Sequence, residues 1–149
     1  MNRRGLFAAI FLLMIAATRA AGDEQAEGIS DVEDRWVRKQ ATPNGEVTLI
    51  KEHKNATTTL TATDAAGNVL YAHVSDFTVE DAGKVHIFTF FNRLITAGPG
   101  KGQMAKEPVS FVYRVSNDRF IEVYGLLAND PSPPRMIVWE RWRPPAAKE

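Results

Sequence analysis

The histidines are the first residues to weigh as chemical groups, and there are three of them, His53, His73 and His86. They stand 20 and 13 residues apart, so the chain has no His-x-His or His-x3-His pair and lacks local zinc-ligand spacing. Acyl-transfer chemistry would need a serine with a base and an acid, and Ser110, His73 and Asp76 are the set on offer. No Gly-x-Ser-x-Gly turn presents that serine as a nucleophile. Cysteine is absent, which excludes thiolate nucleophiles, thiolate metal sites, disulfides and acylation at a cysteine together. Gly98-Pro99-Gly100-Lys101-Gly102-Gln103 has the glycines of a phosphate loop but neither the Walker spacing nor a Ser/Thr after Lys101, and reads as a flexible loop. The expectation is a protein that is not an enzyme and holds no metal or cofactor.

A different constellation is better supported. If Asn117-Asp118 is a two-residue turn, Ser116 pairs with Arg119, Val115 with Phe120, Tyr113 with Glu122 and Phe111 with Tyr124. Phe111, Tyr113, Phe120, Glu122 and Tyr124 then share one face with Val115, and this large aromatic set is the expected interior. A carboxylate among rings is costly unless paired, so Glu122 requires a partner, and Arg141 on the last strand is the candidate. The same alternation aligns Tyr71, His73, Phe77 and Val79 with Val85, Ile87, Thr89 and Phe91, which turns Phe88 and Phe90 outward as an apolar patch. A four-residue loop between the two strands would exchange those faces. Trp139-Glu140-Arg141-Trp142-Arg143 could be a stacking site, but reads better as the alternation of a closing strand, ended by Pro144-Pro145.

The elements that must position these residues are strands. Runs rich in Val, Ile, Thr, Phe and Tyr recur between Gly/Asn/Asp/Pro clusters, and eight are expected: 35–40, 46–54, 57–63, 69–79, 84–92, 109–116, 119–127 and 135–142. Short connections make sequential neighbours antiparallel, a meander. The exception is the long 93–108 excursion, a candidate contact surface for a protein partner. An eight-stranded meander loses both free edges by closing into an up-and-down barrel, whose interior accepts packed side chains or one small ligand.

Upstream, Met1-Asn2-Arg3-Arg4, an apolar run from Leu6 to Ala17 and Thr18-Arg19-Ala20 have the order of an export signal. The expected divisions are a signal peptide over 1–20, a flexible acidic leader over 21–33, the barrel over 34–143 and a tail over 144–149. The apolar run is too short to span a bilayer, and no other stretch does so, hence a periplasmic or secreted protein without a membrane span after cleavage. The 149-residue chain carries 18 basic and 18 acidic residues, and loss of Arg3, Arg4 and Arg19 with the signal leaves it near −3. Without a Lys/Arg cluster, no nucleic-acid partner is expected.

Over residues 34 to 143 the chain resembles the lipocalin-like fold group, in particular small secreted lipocalin-like domains of bacteria. In lipocalins an early Gly-x-Trp puts a Trp at the closed end of the barrel, and an Arg from the last strand packs over its ring. Trp36 and Arg141 or Arg143 match that pair, with Asp34 where the Gly would stand. The resemblance implies an eight-stranded barrel. The functional expectation is a binding protein that holds a small apolar or amphipathic ligand in its aromatic interior, with Tyr71, His73, Phe111, Tyr113, Phe120, Glu122, Tyr124 and Arg141 as lining residues. The alternative is a module with a filled core that acts through its surface, as an inhibitor or interaction partner.

Overall fold

Two tight turns set the geometry of one end of the molecule. Asn117 and Asp118 take φ of 48° and 59°, and Asn55 and Ala56 take 51° and 57°. Successive left-handed residues of this kind match the twist of an antiparallel pair and close it with only two residues. In the computed structural model, which describes residues 31–82 and 85–144, the first turn joins Ser116 to Arg119 and the second Lys54 to Thr57. The expected signal peptide, the leader over 21–30 and the tail beyond Pro144 lie outside the described residues.

The strands are β1 (Asp34–Thr42), β2 (Gly45–Lys54), β3 (Thr57–Thr63), β4 (Val69–Asp81), β5 (His86–Ala97), β6 (Met104–Ala105), β7 (Val109–Ser116), β8 (Arg119–Tyr124) and β9 (Arg135–Arg141). They pair in the order β4-β3-β2-β1-β9-β8-β7-β5, and β5 pairs back to β4, so eight antiparallel strands form a closed barrel. The short β6 is an addition on β5. Closure leaves no free edge on the eight main strands.

The β1–β9 seam is short, with Trp36 opposite Arg141 and Val37 opposite Glu140. Arg141 latches it: its guanidinium pairs with Asp34 and Asp118 and lies 4.7 Å over the Trp36 ring. The expected stacking of a last-strand Arg on the early Trp is therefore present.

Two expectations need correction. First, β4 and β5 pair Val79 with Phe88 and Phe77 with Phe90, with Asp81 opposite His86, so a four-residue connection sets the parity. Phe88 consequently points inward and is buried, and the outward Phe88/Phe90 patch does not exist. Second, β5 continues to Ala97, and the expected 93–108 excursion, with its flexible loop at 98–103, is largely a folded hairpin. Ile95 N–H donates to Gln103 O at 3.0 Å, and Gly102 N–H donates to Ile95 O at 2.8 Å. Gly98, at φ 82°, lies so close to β4 that a Cβ there would strike the Leu70 carbonyl. At the end of the expected leader, Val32 is fully buried and its carbonyl accepts the Trp36 indole N–H at 3.0 Å.

The core is aromatic. Trp36, Phe77, Phe88, Phe111 and Phe120 are buried, with Phe77 stacked on Phe88 at 4.7 Å and Phe88 on Phe111 at 4.9 Å. These rings occupy the half of the barrel beside the tight turns.

Candidate functional site at the open end of the barrel

At the other end, the connections are longer, at 64–68, 98–103 and 125–134; Pro43-Asn44 is the tight exception. Exposed apolar side chains mark this rim: Val69, Leu70, Met104 and Leu126 are between 44% and 59% accessible. Inside it, Leu49, Leu60, Phe90 and Ile137 pack on the core while remaining only partly buried.

The floor beneath them is polar. Glu122 is fully buried; Lys51 reaches it across the barrel from β2, and the Trp139 indole donates to its other oxygen at 2.8 Å. The Lys51 ammonium also lies 4.5 Å over the Trp139 ring. Burial pushes the Lys51 pKa down more than the Glu122 charge raises it. Tyr124 packs tilted against Phe111 at 4.6 Å, and burial, then the neighbouring Glu122 charge, raises its hydroxyl pKa. Glu122 therefore has the partner its position demanded, but that partner is Lys51 rather than Arg141. Arg141 sits at the opposite end, in the seam.

Register places the remaining groups. Arg38, Leu49, Ala62 and Tyr71 form one inward row across β1 to β4, and Lys51, Leu60 and His73 form the next. The His73 Nδ1 lies 3.2 Å from the Tyr71 hydroxyl. Desolvation, then the positive charges of Arg93 and Lys51, lowers the His73 pKa to about 4, so this imidazole is neutral at pH 7. Arg38 lies 5.5 Å over the Trp139 ring and donates through Nη2 to Gln40 at 2.6 Å, while its buried Nε has no partner. Arg135 lies 4.9 Å over Tyr124. Ion pairs of the described residues engage Arg35, Lys39, Lys51, His86, Arg141 and Arg143; Arg38, Arg93 and Arg135 are in none of them.

Of the residues expected to line a site, Phe111, Tyr113, Phe120, Glu122 and Tyr124 come together in the packed interior. Tyr71 and His73 stand at the open end, half-buried. Arg141 does not join them. The paper triad is not assembled: Ser110 Oγ contacts Thr89 Oγ1 at 2.7 Å and accepts from Asn129 at 2.8 Å, whereas Asp76 accepts from Asn92 at 2.7 Å.

Sequence reasoning missed Lys51, Trp139, Arg38 and His53 as interior groups. On β2, Leu49, Lys51 and His53 alternate with Thr48, Ile50 and Glu52; apolar residues stand on both faces, so polarity does not mark the inner one. His53 is caged by Phe77, Phe88 and Phe120 at 5.3, 5.0 and 5.3 Å, and neither ring nitrogen has a hydrogen-bond partner. Burial, then the Lys51 charge, holds its pKa well below the usual histidine value.

No protein-family model matches this chain, and no curated protein or solved structure is significantly similar to it.

Proposed function

We propose that this is an exported, non-enzymatic binding protein whose barrel takes a small apolar or amphipathic molecule at its open end. One observation carries the reading: Leu49, Leu60, Phe90 and Ile137 are left half-covered at the open end, above a floor closed by Lys51, Glu122 and Trp139. Apolar walls with a few oriented polar groups are the usual composition of a small-molecule site. The rings of the opposite half are in contact with one another, so the ligand rests on the aromatic core rather than within it. Binding rather than catalysis is supported by the engagement of Ser110, His73 and Asp76 with separate partners. Export is supported by the N-terminal sequence pattern.

The test is a titration with N-phenyl-1-naphthylamine, a neutral apolar dye. Saturable, blue-shifted emission at one dye per chain is the expected result, weakened by Tyr71→Ala. A linear, unsaturable response would contradict the reading.

A second reading, a surface-acting interaction module, has its own observation. The outer face of β7, β8 and β9 carries Val112, Ile121, Val123, Met136 and Val138 side by side in register, with Met136 67% exposed. Exposed apolar surface of this kind suits a protein partner. On that reading the dye would bind with no sensitivity to Tyr71.

A further inference from the structure

The open end carries three arginines, Arg38, Arg93 and Arg135, that enter no ion pair among the described residues. Arg38 shares its inward row with Tyr71, and Arg93 stands two residues before Ile95, which is paired with His73. The Arg38 and Arg93 charges both reach the Lys51/His73 row, since Arg38 acts on Lys51 and Arg93 on His73. The acids of this end are engaged elsewhere. Glu122 holds Lys51, Asp130 accepts from the backbone N–H groups of Gly125 and Ser132 at 2.7 and 2.9 Å, Asp64 caps its own turn, and Glu46 pairs with Lys39 on the outer surface. Glu107 is exposed on the connection before β7.

A buried guanidinium N–H without an acceptor is costly to leave unmet. The Nε of Arg38 is such a group among the described residues, and its guanidinium lies 5.5 Å over the Trp139 ring. Guanidinium forks match the planar oxygens of acid groups and form stronger hydrogen bonds to anions than to neutral acceptors. Apolar side chains adjoin them in the same rows: Leu49 beside Arg38, and Leu60 beside His73.

Resting on the binding function above, we infer that the ligand is an anionic amphiphile, with its acid head between Arg38 and Arg93 and its apolar tail on Leu49, Leu60 and Phe90. Carboxylate and phosphate heads share this chemistry, and the probes below separate them.

The full chain is titrated, below micellar concentrations, with dodecanoate, dodecyl phosphate and dodecan-1-ol, each displacing N-phenyl-1-naphthylamine. At least one acid is expected to bind about tenfold more tightly than the alcohol, the scale of one charge-assisted hydrogen bond. The tighter of the two acids identifies the head. The acid-over-alcohol ratio is expected to fall toward one in Arg93→Gln, to survive largely in Arg93→Lys, and to shrink as salt rises. The Arg93 side chain makes no hydrogen bond or ion pair within the described residues, so its replacement should leave the melting temperature close to that of the parent. If Arg93→Gln does not fold, the salt series and Arg93→Lys decide. Alcohol binding as tight as both acids would overturn the anionic head, and a ratio unmoved by Arg93→Gln would overturn its placement at Arg93, each while leaving the binding function standing. Failure of the dye and all three probes to bind would remove both.

Discussion

The two halves of this barrel are built from the same strands yet treat their side chains in opposite ways. Beside the two-residue turns, Trp36, Phe77, Phe88 and Phe120 are buried to within 2% of complete coverage, and even a histidine is enclosed without a hydrogen bond. Beside the longer connections, apolar side chains are half-covered, and Arg38, Arg93 and Arg135 enter no ion pair among the described residues. Tight turns draw the strands together and let rings interdigitate, whereas Leu49, Leu60, Phe90 and Ile137 in the other half stay only partly buried. On the proposed reading, the difference assigns stability to one half and recognition to the other, with the Lys51–Glu122 pair as the boundary.

The largest effect is expected at that boundary. Lys51→Met leaves Glu122 buried without its cation and should cost about 3–5 kcal/mol in urea denaturation. Pairing it with Glu122→Leu should recover most of the loss, because a buried ion pair is often no more stable than apolar side chains of similar volume. A double variant as unstable as Lys51→Met alone would show that the pair is not an isolated unit.

Truncations in the two halves measure the comparison itself. Trp36→Ala should cost about 3–5 kcal/mol, as for other fully buried aromatic residues. Ile137→Ala at the open end should cost about 1–2 kcal/mol, because the side chain is only partly withdrawn from water. Equal costs would erase the distinction between halves.

Legibility in the sequence followed the range of the interactions. The Phe111–Tyr124 face could be read because Asn117-Asp118 fixes a register that plain alternation then carries along both strands. The Phe88 face could not be settled in the same way, because it depended on the length of the connection after Asp81, and bulges at 72–73 and 74–76 further shift the β4–β5 register. That Glu122 needs a partner followed from the cost of burying charge, but Lys51 is 71 residues away and joined to it only by barrel closure. The hairpin after Ile95 was hidden because its glycines have the composition of a flexible loop, although Gly98, Gly100 and Gly102 all adopt positive φ in a folded turn. The cations of the open end were not visible as a group, since Arg38, Arg93 and Arg135 are scattered along the chain and only the fold brings them to Trp139, His73 and Tyr124.

The smallest effect is a pH slope in the closed half. His53 has a folded pKa well below 6.5, so the unfolded chain takes up a proton that the folded chain refuses. Its contribution is fully present above about pH 6.5 and declines as the pH falls, by about 1.4 kcal/mol per pH unit until the folded pKa is reached. His73 adds a parallel decline that ends at about pH 4. His53→Phe, a ring among rings, should make stability between pH 6.5 and 5 less steep in denaturant titrations. An unchanged slope would mean that His53 does not carry it.

The central claim, that ligand meets the open half while the closed half stays sealed, is tested most directly by mapping amide and indole NMR shifts during titration with N-phenyl-1-naphthylamine. Shifts are expected at Tyr71, His73, Tyr124 and the Trp139 indole, with the Trp36 indole unmoved. Shifts centred on Trp36 and Phe120, or on the outer face at Ile121, Val123 and Met136, would contradict it.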